Sequence, residues 1–151
     1  MSLGAFCSRD LVTIDAAESL TQAARLMRQH HVGFLVVVEA IASSADLRVT
    51  GVLTDRDIVT TVVAKEADPR AFKVGDVMTR SPLMASESST LEVVLSNMRE
   101  AGVRRVPVLG ERNQLMGVLS LDDVLSVLAQ QLTAVSGAVR GQRRSEQLQR
   151  P

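Results

Sequence analysis

The sequence predicts an α/β fold built from two similar units, each a short strand, a helix, two strands and a second helix (βαββα). Three observations predict it. Residues 51–58, GVLTDRDI, return at 117–124 as GVLSLDDV, with Gly51, Thr54 and Asp57 matched by Gly117, Ser120 and Asp123. Upstream, ESLTQAARLMRQHHVGFLVVV overlies STLEVVLSNMREAGVRRVPVL at an offset of 71, carrying Leu20 onto Leu91 and Met27 onto Met98. The offset then falls to 66, because Glu39–Thr50 is five residues longer than Gly110–Met116, a change that a surface loop tolerates.

The elements follow in order within each copy. Leu20, Ala23, Ala24 and Met27 are spaced i, i+3, i+4, i+7, as are Leu91, Val94, Leu95 and Met98, which is the buried stripe of an amphipathic helix. Ser19 with Gln22, and Ser89 with Glu92, are expected as capping boxes. The β-branched runs Phe34–Val38 and Arg48–Leu53, then Val106–Leu109 and Gln114–Leu119, read as paired strands. Second helices are expected over Asp55–Ala64 and from Leu121 to about Leu132. The units are residues 5–66 and 67–132, each marginal alone, so that each half covers the other's exposed sheet face. Residues 133–151 form an Arg-rich tail, with Arg140, Arg143, Arg144 and Arg150 against Glu146. It reads as a frayed or extended helix or as disorder; a docking tail is the alternative.

Composition removes several classes of function. A chain of 151 residues with 46% hydrophobic and 23% charged residues is globular. With three Phe and neither Trp nor Tyr, the core is aliphatic. A formal charge of zero gives no overall attraction to nucleic acid or anionic membrane, and no aromatic platform exists for stacked bases. The single Cys7 permits no internal disulfide or multi-thiolate zinc site and fits a reducing compartment. Neither a signal-like start nor an apolar run of ~20 residues is present, so a soluble, cytoplasmic protein is expected. No Gly-rich phosphate loop, paired-carboxylate site or nucleophile with a base beside it accounts for catalysis, and no catalytic cofactor is expected.

The repeated Gly-h-h-[Ser/Thr]-x-x-Asp phrase (h, hydrophobic), together with DVMTRSPLMA at 76–85 and GVRRVPVL at 102–109, resembles the tandem CBS-domain pair, or Bateman module. The resemblance covers about residues 5–132. It implies two CBS repeats packed by pseudo-twofold symmetry into a disc, with clefts that bind an adenine nucleotide (AMP, ADP or ATP) or S-adenosylmethionine as a regulatory ligand. It also implies homodimerisation through exposed helix faces and an unidentified regulated protein.

The candidate residues follow from what such a ligand requires. A ribose offers two vicinal hydroxyls, and one ionised carboxylate can accept both. The resemblance places Thr54, Asp57, Ser120 and Asp123 on the ribose side. The same residues, at a strand-to-helix junction, also make a helix start with no ligand, Thr54 or Ser120 capping and the Asp lying in the first turn. Phosphates need cations or free N–H groups. The candidates are Arg56, matched by Asp122 in the second copy, together with Arg104, Arg105, His30 and His31, against the alternative of solvated helix ends and turns. Metal binding by the two adjacent histidines lacks the further ligands it would need. Leu11, Val12, Val32, Pro82, Leu83 and Val103 are candidates for a flat adenine slot, and equally ordinary core residues. A cleft can take its Asp from one copy and its basic residues from the other, and the sequence leaves that pairing open. A ligand-free pair serving only protein interaction is the competing function.

Overall fold

In the computed structural model, the described residues are Leu3, Phe6–42 and 44–149, with side chains described through Arg140. The candidate boundary at residue 5 and the tail residues Arg150 and Pro151 lie outside them. Two mixed four-stranded sheets account for the fold. The first copy contributes β2 (Thr13–Ile14), α1 (Leu20–His30), β3 (Phe34–Ala40), β4 (Leu47–Thr54) and α2 (Asp55–Ile58), which continues as a π-helical turn over Val59–Val63. The second repeats this as β6 (Ala85–Ser86), α4 (Leu91–Ala101), β7 (Arg105–Leu109), β8 (Leu115–Ser120) and α5 (Leu121–Gln149). A short α3 (Val74–Val77) leads from one copy to the next.

The halves interlock. β1 (Cys7–Ser8), at the start of the chain, pairs antiparallel with β8 of the second copy, and β5 (Thr79–Arg80) pairs antiparallel with β4 of the first. The strand orders are therefore β1-β8-β7-β6 and β2-β3-β4-β5. The two cores are exchanged in the same way. Leu3 and Phe6 complete the core around Leu91, Met98, Val106 and Leu119, while Val74 and Met78 complete the one around Leu20, Met27, Leu35 and Leu53.

This exchange explains the repeated glycines. At Gly51 a Cβ would stand 2.7 Å from Met78 Sδ and 2.8 Å from the Thr79 carbonyl oxygen; at Gly117 it would collide with Cys7 Sγ and lie 2.7 Å from the Ser8 carbonyl oxygen. Each glycine lets the crossing strand lie against the central one.

The helix ends show two corrections. Ser19 caps α1, its Oγ accepting from Gln22 N at 3.0 Å. The N-cap of α4 is Thr90 rather than Ser89, because the offset of 71 carries Ser19 onto Thr90. The C-caps correspond too: His31 and Gly102 both adopt the left-handed conformation, at φ 55° and 66°. The helix expected to stop near Leu132 runs on to Gln149.

Candidate functional site

The strand-to-helix junctions share one cap, the hydroxyl accepting from the Asp backbone N–H, and differ in what the carboxylate accepts. β4 ends at Thr54, whose extended backbone (φ −112°, ψ 159°) turns the chain into α2. Thr54 Oγ1 accepts from Asp57 N at 3.1 Å, and Asp57 Oδ2 accepts from Thr54 N at 2.8 Å, a reciprocal capping box. In the second copy Ser120 Oγ accepts from Asp123 N at 3.1 Å and donates to Asp123 Oδ2 at 2.7 Å. The capping role is therefore real, yet it consumes one oxygen of each carboxylate. Asp57 Oδ1 and Asp123 Oδ1 enter no hydrogen bond among the described residues, so capping leaves an acceptor available.

Both junctions open into clefts between the repeats. The larger, of about 560 Å³, brings Thr54, Arg56 and Asp57 of the first copy against Pro82, Leu83, Val103, Arg104 and Arg105 of the second. The smaller, of about 310 Å³, brings Ser120 and Asp123 of the second copy against Leu11, Val12, His31 and Val32 of the first. The pairing that the sequence left open is thus crossed: each cleft takes its carboxylate from one repeat and much of its apolar wall from the other. The exchange of β1 and β5 causes this, because the segment after each exchanged strand is delivered across the other copy's β-to-α junction. Of the candidate residues, His30 lines neither cleft.

The two clefts differ in charge. Ladder pairing sets Arg105 opposite Ser120, at the edge of the smaller cleft. Asp122 there accepts a hydrogen bond from Arg104 at 3.0 Å and lies 3.7 Å from Arg105. Both arginines are therefore engaged by an acidic group on the rim of the smaller cleft, while they also line the larger one. Arg56, the counterpart of Asp122, pairs with no carboxylate among the described residues.

Cys7, next to Ser8 of the smaller cleft, is half-buried against the second core. Burial pushes its thiol above the ordinary range, with Arg9 opposing and the Asp123 charge adding to the rise. The group is a neutral packing element at physiological pH, as its alignment with Met78 implies.

Sequence reasoning missed Phe34, which lines both clefts, and the pair Ser8 and Thr79, each at the edge of one. Phe34 corresponds to Arg105 by the repeat, and β3 sets it opposite Thr54 as β7 sets Arg105 opposite Ser120. That double correspondence was the available signal. Ser8 and Thr79 lie on strands of two residues, too short to leave a periodic pattern.

Comparison with known proteins agrees with this architecture. A family model described as CBS domain matches residues 3–64 and again 74–130. The chain belongs to the CBS-domain family, as a tandem pair. It is similar to the uncharacterized protein MK0525 of Methanopyrus kandleri, 28% identical over 84% of this chain and 62% of that protein, so the chain spans less than two thirds of that relative's length. It is also similar to hypoxic response protein 1 of Mycobacterium tuberculosis, 36% identical over 71% of each chain. Among solved structures, CBSX2 in complex with AMP superposes with a TM-score of 0.68 at 26% identity, over 85% of this chain and 96% of that one. Among the described residues, no helix is long and apolar enough to cross a membrane.

Proposed function

We propose that this chain is a regulatory module that binds an adenosyl ligand in the clefts between its CBS repeats and has no catalytic role. The observation that carries the reading is the crossed cleft. A carboxylate held by one oxygen faces an apolar wall from the other repeat, with arginines beside it. The free carboxylate oxygen suits vicinal ribose hydroxyls, the apolar wall suits a purine face, and the arginines suit phosphate. The AMP held by the similar CBSX2 structure supports the same ligand class. Thr54, Asp57, Ser120 and Asp123 are the ribose-side residues; Arg56, Arg104 and Arg105 serve phosphate in the larger cleft, and His31 lies at the rim of the smaller.

The larger cleft is the site for the more highly phosphorylated nucleotide. It has the greater volume and carries Arg56, whereas the smaller cleft has Asp122 at the corresponding position. The module acts on a second copy of itself or on a regulated protein through its outward helix faces, where Val59, Val63, Leu125 and Leu128 are exposed. A cytoplasmic setting suits a receptor for a soluble nucleotide.

A thermal-shift and equilibrium-dialysis series with AMP, ADP, ATP and S-adenosylmethionine tests the reading. A ligand at 100 times its dissociation constant stabilises the fold by ~2.7 kcal/mol. Failure of all four to bind or stabilise would leave a module that acts by protein contact alone.

A further inference from the structure

We infer that the two clefts select ligands of opposite charge: the smaller takes an adenosyl ligand that is positively charged where a nucleotide carries phosphate, a sulfonium nucleoside, and Asp122 sets that preference. The inference rests on the adenosyl reading above and deepens it by assigning a ligand class to the second cleft.

The clefts match in the parts that would hold an adenosine. The offset of 71 carries Leu11 onto Pro82, Val12 onto Leu83 and Val32 onto Val103, so each cleft has the same three wall positions. Asp57 and Asp123 correspond as well, each with one oxygen outside the junction's hydrogen bonds. What differs is the charge around them. The larger cleft is lined by three guanidinium groups, Arg56, Arg104 and Arg105, against the carboxylates of Asp55 and Asp57. The smaller is lined by three carboxylates, Asp10, Asp122 and Asp123, against Arg105 as its one arginine. The chain as a whole has a formal charge of zero, so this opposition is invisible in the composition.

The difference falls at the place that meets the ligand's 5′ substituent. Arg56 and Asp122 each precede the ribose-side Asp by one residue. A phosphate in the larger cleft meets a guanidinium at that step, whereas in the smaller it meets a carboxylate of its own sign. Such a like-charge encounter discriminates without any added attraction for the preferred ligand. A positive group reverses the sign of the same encounter.

Asp122 retains the capacity to act. Arg104 donates to its Oδ1 at 3.0 Å and Arg105 lies 3.7 Å from its Oδ2. Both pairs are exposed, of the kind worth only ~0–1 kcal/mol. A carboxylate has about four lone-pair sites, which leaves room for a further cationic partner. S-adenosylmethionine supplies a sulfonium and an ammonium on the 5′ side of its adenosine, and its carboxylate has Arg105 in the same cleft.

Calorimetric titration of the full chain with S-adenosylmethionine and S-adenosylhomocysteine tests the inference, because the two differ by one methyl group and the sulfonium charge. S-adenosylmethionine should bind about tenfold more tightly, or ~1.4 kcal/mol, and the preference should shrink with added salt. Asp122→Asn should abolish the preference, with the melting temperature followed as a control on folding. Asp123→Asn should remove S-adenosylmethionine from the smaller cleft. Equal affinities in the parent chain overturn the inference, as does a preference that survives Asp122→Asn. Binding kept in Asp123→Asn and lost in Asp57→Asn places the sulfonium ligand in the larger cleft and also overturns it. If ATP binds and neither sulfur ligand does, this inference falls while the adenosyl reading stands. If no adenosyl compound binds, both fall.

Discussion

Arg104 donates a hydrogen bond to Asp122 at 3.0 Å, across the boundary between the two clefts, while Arg56, which stands where Asp122 does in the repeat, meets no carboxylate among the described residues. One substitution between copies therefore sets the electrostatics of both clefts. It removes a cation from the smaller and engages, by ion pairing, a cation that the larger would present to phosphate. Arg56→Ala should weaken ADP or ATP by ~1.5–3 kcal/mol, the worth of a hydrogen bond to a charged group, and leave adenosine nearly unchanged. Calorimetric titration of the three ligands checks this; equal losses for adenosine and ATP would contradict it.

Releasing the arginines should act in the opposite direction. Asp122→Asn removes the negative charge that holds Arg104 and Arg105, both exposed, so the fold should lose no more than the ~0–1 kcal/mol of a surface ion pair. Affinity for ADP and ATP should rise, and the gain should shrink with added salt. Titrations at low and high ionic strength measure it, and unchanged affinity at low salt would show that the ion pair does not compete with phosphate.

Asp57 gives one oxygen to the Thr54 backbone N–H and Asp123 gives one to the Ser120 hydroxyl, and each keeps the other. Asn in either place retains an oxygen able to accept the capping bond and loses the carboxylate. Asp57→Asn and Asp123→Asn, made separately, should leave the ligand-free melting temperature within a few degrees, since a first-turn charge is worth only ~0.3–1 kcal/mol. Nucleotide affinity at the altered cleft should fall at least tenfold, or ~1.4 kcal/mol. A pure helix-start role would leave binding intact in both variants.

The glycines of the repeated phrase are predicted to be structural. Gly117→Ala drives a methyl into Cys7 Sγ and the Ser8 carbonyl, and Gly51→Ala into Met78 and the Thr79 carbonyl. Each should destabilise by ~1–3 kcal/mol in denaturant melts, the usual cost of overpacking. Adding Cys7→Ala to Gly117→Ala should recover only part of the loss, because the carbonyl oxygen at 2.7 Å remains. Full recovery would place the whole clash on the sulfur.

Cys7 supplies a pH-dependent readout. Its thiol is raised in the folded state, chiefly by burial, so the unfolded chain ionises at lower pH than the folded one. Its contribution to stability is therefore present below the unfolded thiol range and declines as pH rises through that range toward the folded value. Alkylation at pH 8 should be slower than in the unfolded chain, and a Cys7→Ala chain should lose less stability between pH 8 and 10. Folded-state alkylation as fast as in denaturant would contradict the assignment.

The repeat itself was fully legible in the sequence. Helix stripes at 3.6-residue spacing, β-branched runs and the twice-written Gly-x-x-[Ser/Thr]-x-x-Asp phrase determined two βαββα units, because local periodicity records which face of each element is buried. Thr54, Asp57, Ser120 and Asp123 could be found the same way, since a cap and its acidic partner are neighbours in sequence. Tertiary structure alone decided that each short first strand joins the other copy's sheet, and hence that Pro82, Leu83 and Val103 face Asp57 while Leu11, Val12 and Val32 face Asp123. Strands of two residues carry no periodic signal, and two repeats of similar pattern can pair within a copy or across it with the same sequence signature. Only the simultaneous packing of both cores, with Met78 seated over Gly51 and Cys7 over Gly117, selects the crossed arrangement.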